Sequence, residues 1–115
     1  MSVPTLDRAT FEDLKATTGA DFVQELVDTF LGDAPRMLAE LRSALAVNDA
    51  ERFRRTAHSL KSNSNTFGAL SLGAMAKALE LGGIASVREA AGAPLDELER
   101  EYARAAQALS ELKHA

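Results

Sequence analysis

The sequence contains no cysteine and no tryptophan, and it has one tyrosine and three prolines in 115 residues. Each shortage removes a class of function. Without cysteine there are no disulfides, no thiol nucleophile and no zinc–thiolate site. A reducing compartment fits this composition, and the cytoplasm is the expected location. With so few aromatic side chains, a stacking platform for single-stranded nucleic acid is not expected. Positive charge is also short: 13 basic residues against 17 acidic ones leave a net charge of −4. A weakly acidic domain is poorly suited to capturing DNA or an anionic membrane by electrostatics. No apolar run approaches the roughly 18–20 residues of a membrane span. The start, Met1-Ser2-Val3-Pro4-Thr5, lacks the basic and apolar regions of a signal peptide. Strand-type alternation is missing as well.

What remains is helical spacing along nearly the whole chain, with 46% hydrophobic residues to build a core. The expected fold is all-α. The length suits a single domain, residues 1–115, with its core over about 6–112. A short first helix is expected from Asp7 to about Ala16, with Asp7 or Thr10 as cap and Phe11 and Leu14 inward. A second begins near Ala20 and runs to about Val47, with Phe22, Leu26, Phe30, Leu38, Leu41 and Leu45 as its apolar stripe. Pro35 should kink this helix without ending it, because the stripe resumes in nearly the same phase.

Asn48 and Glu51 have the spacing of a capping box for a third helix that ends at Phe67-Gly68. A fourth helix is expected from Ser71 to Leu81, with Leu72, Met75, Ala76 and Leu79 inward. Gly82-Gly83 closes it, and Ile84 to Ala93 fits either a short helical turn or a loop. The last helix starts near Pro94, a favoured first-turn residue, and carries the stripe Leu95, Leu98, Tyr102, Ala105, Leu109 and Leu112. Four long helices with short joins imply an antiparallel up-and-down four-helix bundle, with the short N-terminal helix against one end.

The third helix divides into two faces at about 100° per residue. Phe53, Thr56, Leu60, Ser64 and Phe67 share one side. Glu51, Arg54, Arg55, His58, Lys61, Ser62 and Asn65 share the other. Burial of the apolar side sends His58 to solvent among three cations. A nucleophilic histidine needs a free ring nitrogen and room for an electrophile, and this position offers both. A phosphoryl group on the ring would carry about two negative charges. Lys61, Arg55 and Arg54 lie within one turn of His58 to stabilise it, Lys61 first among them because its ammonium is mobile. Ser62 is small enough to leave the imidazole accessible, and Asn65 lies two turns on. No metal site is expected. Di-iron bundles use Glu-x-x-His on inward faces, whereas Glu51 is seven residues from His58, points outward, and His114 lies at the chain end.

The run His58-Ser59-Leu60-Lys61, followed by small and polar residues and then Phe67-Gly68-Ala69, resembles the signature of histidine-containing phosphotransfer (HPt) domains. That pattern reads His-x-Leu-Lys-Gly, then small residues, then an apolar residue and Gly. Asp21-Phe22 through Leu41 is similar to the family's first long helix, and Leu79-Glu80 to its post-motif helix. The resemblance covers about Leu6 to Leu112. Ser62 departs from the pattern, standing where the family commonly has Gly, and Asn63 and Asn65 are more polar than usual.

The resemblance implies a phosphorelay intermediate that takes a phosphoryl group on His58 from a receiver-domain aspartate and passes it to another receiver. It implies Lys61 at the phosphate, with Gly68 keeping the approach open. The partners would be receiver domains of response regulators or hybrid histidine kinases, and the chain would act as a monomer with no nucleic acid or membrane partner. The chain would be a phosphocarrier, not an enzyme. Any Mg²⁺ would sit on the receiver, with no cofactor in this chain. No Gly-x-x-x-x-Gly-Lys-[Ser/Thr] loop is present for ATP. Docking would use the rim of the His helix and apolar candidates Phe11, Leu14, Leu31 and Met37. A competing expectation is a helical adaptor that binds a receiver or kinase without phosphotransfer. Met1 and the compact length fit a freestanding protein.

Overall fold

The computed structural model describes residues 3–113. Among them are five helices and no strand: α1 Arg8–Thr18, α2 Ala20–Ala46, α3 Ala50–Thr66, α4 Leu70–Glu89 and α5 Ala93–Lys113. The all-helical expectation is met, and the joins are short. Helix α3 packs most extensively on α4 and also against α2, while α5 packs on α4 and α2. The short α1 lies against α2 and α3. Phe11, Leu41, Phe53, Leu60, Leu72 and Leu98 are among the fully enclosed side chains.

Helix α2 continues through Pro35. A proline cannot donate to the carbonyl four residues back, here that of Leu31. The Tyr102 hydroxyl donates to that carbonyl at 3.2 Å. An acceptor left over by the proline thus becomes a tie between α2 and α5, and partial burial raises the Tyr102 pKa above its usual value. The ring also sits edge-on to Phe30, which in turn packs on Phe67.

Three local expectations are corrected. The inward stripe of α2 is Val23, Val27, Phe30, Ala34, Leu38, Leu41 and Ala44, and Phe22 is 51% exposed. Small and β-branched residues, Val23, Val27, Ala34 and Ala44, complete the helical period between the large ones. The α3 cap is Asp49, whose side chain accepts from the Arg52 N–H at 3.1 Å. Asn48 instead adopts a left-handed conformation (φ 59) and accepts from Arg88. The Gly82-Gly83 pair does not end α4. Gly83 takes φ 67, ψ −167, and the chain resumes helical form to Glu89, burying Ile84 and Val87. That conformation is open to glycine and costly for other residues.

Helix α4 also revises the reading of hydropathy. It is the one described helix long and apolar enough to cross a membrane by length and composition, at a mean hydropathy of 1.3. Here it packs against α3 and α5 and is broken at Gly83.

Charged pairs tie the helices together at their rims. Arg42 of α2 binds Asp96 and Glu99 of α5 at 2.7–2.8 Å, and Arg52 of α3 binds Glu40 of α2. Glu51, Glu80 and Glu99 are all held below their ordinary value of 4.5, first by hydrogen bonds from Arg54, Lys61 and Arg42 respectively. A carboxylate depressed in the folded state stabilises it at all pH above its unfolded value, and loses that contribution as pH falls through the folded one. The melting temperature is therefore expected to hold from neutrality down to about pH 4.5 and to fall below it. Thermal melts by circular dichroism across this range check the point, and Glu99→Gln should make the acid limb shallower.

Candidate functional site

Helix α3 carries the candidate residues His58, Lys61 and Ser62. Its inner face, with Phe53, Ala57, Leu60 and Ser64 buried, fixes the rotation of the helix. That rotation puts His58 outside, with its side chain 54% exposed. The expected division into two faces holds, except that Ala57 takes the inner place expected of Thr56, which is half-buried.

The imidazole is held from the neighbouring helix. Glu80 of α4 places Oε2 at 2.8 Å from Nδ1 of His58 and Oε1 at 2.8 Å from Nζ of Lys61. Its side chain is 14% exposed, and that of Lys61 24%. The Lys61 ammonium, then the His58 hydrogen bond, hold the Glu80 carboxyl below the usual carboxylate range. An ionised carboxylate only accepts hydrogen bonds, so Nδ1 must be the protonated nitrogen. In the neutral ring the other nitrogen, Nε2, carries the lone pair, and it is not engaged by Glu80. One carboxylate thus sets the ring's orientation, its tautomer and the position of the lysine.

Close approach of α4 to α3 makes this bridge short. Gly73 is buried, and a Cβ built there would lie 2.0 Å from Oδ1 of Asn65. The Asn65 side chain accordingly rests over Gly73. Of the three cations expected around the imidazole, Lys61 is the one joined to it through a shared partner. Arg54 is engaged by Glu51 at 2.7 Å, and Arg55 lies 3.9 Å from the same carboxylate. Ser62 is exposed one turn beyond His58.

Gly68 has a different role from the expected one. It is buried, with φ 85, and its Cβ would lie 2.6 Å from the backbone oxygen of Asp7. The Asp7 N–H donates to the Gly68 carbonyl at 2.7 Å, and Ser71 N–H donates to Pro4 O at 2.9 Å. What comes close to Gly68 is this chain's own N-terminal segment, so the glycine closes a turn instead of clearing a path for a partner. Gly68→Ala should cost about 2 kcal/mol or more, from left-handed strain plus the displaced segment. Denaturant titration measures the loss, and phosphoryl uptake by the folded fraction should persist.

The docking candidates separate as well. Phe11 is 1% exposed and belongs to the core. Leu14, Leu31 and Met37 are half-buried against it. Met37 lines an open cavity of about 480 Å³ between α2 and α3, together with Arg36, Arg52, Arg55 and Ser59.

Glu80, which meets both His58 and Lys61, is not among the site residues expected from the sequence. Its signals there are the resemblance of Leu79-Glu80 to the post-motif helix and a carboxylate within the apolar run Ala78-Leu79-Glu80-Leu81, 22 residues from His58. No cluster of three metal-ligating side chains occurs among the described residues, and His114 lies outside them.

The family profile described as the Hpt domain matches residues 25–114. The crystal structure of histidine-containing phosphotransfer protein B (HptB) from Pseudomonas aeruginosa PAO1 superposes with a TM-score of 0.88 at 32% identity, covering 98% of this chain and 97% of that one. No curated protein sequence matches significantly. The chain belongs to the Hpt domain family, whose members are histidine phosphotransfer intermediates of two-component signalling.

Proposed function

We propose that His58 is the residue that carries the phosphoryl group. The observation behind this is an exposed ring whose Nδ1 is tied to an ionised carboxylate, which leaves Nε2 as the nitrogen not engaged by Glu80. In the transfer, Nε2 attacks phosphorus of an aspartyl phosphate on a receiver domain. The N–P bond forms as the P–O bond to the aspartate breaks, and the aspartate leaves as a carboxylate. The ring gains positive charge in that step. Glu80, at Nδ1, is placed to offset it. Lys61, held at the other oxygen of Glu80, is within reach to turn toward the incoming phosphate. The return step to a second receiver is the same displacement reversed.

The chain then acts as a phosphocarrier. The catalytic Mg²⁺ and the aspartate belong to the receiver, and positioning does most of the work in such transfers. Arg54, Arg55, Ser62 and Asn65 contribute at the rim, through charge and clearance. We read the four long helices as an antiparallel up-and-down arrangement with α1 across one end, in keeping with the short joins. Residues 1–115 are taken as a single domain, monomeric and cytoplasmic.

The test is transfer from a phosphorylated receiver. The chain should take up label that is acid-labile and alkali-stable, and peptide mapping should place it at His58. Binding of the receiver with no transferable label would favour the adaptor reading instead.

A further inference from the structure

The cavity between α2 and α3 lies beside His58, on the flank away from Glu80. Ser59 and Arg55, which line it, are respectively the next residue after His58 and one turn before it. The lining includes three arginines and one carboxylate, Glu40, in a chain whose net charge is −4. Glu40 is taken by Arg52. Arg36 is 82% exposed and has Asp33 at 3.6 Å; Arg55 is 66% exposed and has Glu51 at 3.9 Å, a carboxylate that Arg54 holds closer at 2.7 Å. Exposed pairs this long contribute little, so both guanidiniums are available to a new partner. Met37 supplies an apolar floor between them.

A receiver that brings its aspartate to Nε2 must cover this ground. Even a small transient interface buries several hundred Å² on each side, and Arg55 is about 5 Å along the helix from His58. Covering two guanidiniums with apolar or basic surface would strand buried charge, which is strongly unfavourable. Resting on the carrier reading above, we propose that Arg36 and Arg55 select the partner: the receiver recognised here presents carboxylates opposite them, and receivers with neutral or basic residues there are rejected. The cationic groove also steers such a receiver to the one face of an acidic protein where transfer occurs.

The test uses the full chain, with two phosphoryl donors. One is the phosphorylated receiver that labels the wild type fastest among those of the source organism. The other is phosphoramidate, which is too small to touch the groove and His58 together. Arg36→Glu is expected to lower the ratio of receiver-driven to phosphoramidate-driven labelling about tenfold or more at low salt, with the difference shrinking as salt rises. Reversing the matching acidic residue of the receiver to Arg should restore the ratio. Arg36→Gln, with an intermediate fall, serves if the reversed variant is unstable. A ratio equal to wild type in both variants overturns the proposal while leaving the carrier reading intact. Competition by millimolar inorganic phosphate at constant ionic strength would also overturn it, marking the groove as a small-anion site. Wild type that takes no label on His58 from either donor defeats the carrier reading, and the selection claim with it.

Discussion

His58→Gln is expected to abolish phosphoryl uptake while leaving the fold in place. The imidazole supplies the nucleophilic nitrogen, and an amide nitrogen has no available lone pair. The side chain is more than half exposed, so its loss removes little packing. Stability should change by within about 0.5 kcal/mol, the usual range for surface sites. The glutamine amide is also long enough to donate to Glu80 and keep that carboxylate satisfied. Radiolabel transfer and a denaturant melt on the same preparation separate the two effects. Equal labelling of the variant would show that another side chain is the acceptor.

Substitution of Glu80 should have the next largest effect, and two variants divide its roles. Glu80→Ala frees the ring to rotate, removes the acceptor at Nδ1 and leaves half-buried Lys61 unpaired. Misplacement of a nucleophile by about 1 Å is enough to cost about 100-fold, and a loss of that order in transfer rate is expected. Glu80→Gln keeps an acceptor oxygen for Nδ1 and so retains most of the orientation, at the expense of the charge. Its uptake should be slowed by less. Once formed, its phosphohistidine should persist longer, because a neutral amide holds the Nδ1 proton less firmly and the ring is a poorer leaving group without it, while Lys61 is released toward the phosphate. Rates of uptake and of onward transfer, measured separately, check this split. A merely structural Glu80 would move stability and both rates together.

The sequence made the central helix legible because one physical constraint governs it. Phe53, Leu60 and Phe67 must be buried, and helical geometry then sends His58 outward. The continuity of α2 past Pro35 was likewise readable from the phase of Leu38 and Leu41. The compensating bond from Tyr102 was not, since it joins residues 71 positions apart. Glu80 was hidden for the same reason: nothing local says which carboxylate of a neighbouring helix will face a given imidazole. Gly68 and Asn48 misled for another reason. Each carries a residue type with two common uses, and the surrounding chain decides between them. Gly68 fits under Asp7 in place of opening a surface, and Asn48 takes the left-handed turn one residue before the true cap. The fate of Gly82-Gly83 depended on whether Ile84 and Val87 found a core to enter, which they did.

The measurement closest to the centre of this account is nitrogen–phosphorus coupling by NMR on uniformly ¹⁵N-labelled protein after transfer from a phosphorylated receiver. A single phosphorus signal coupled to Nε2 of His58 is expected, with a proton retained on Nδ1 by Glu80. Coupling to Nδ1, or phosphorus on a different side chain, would contradict it.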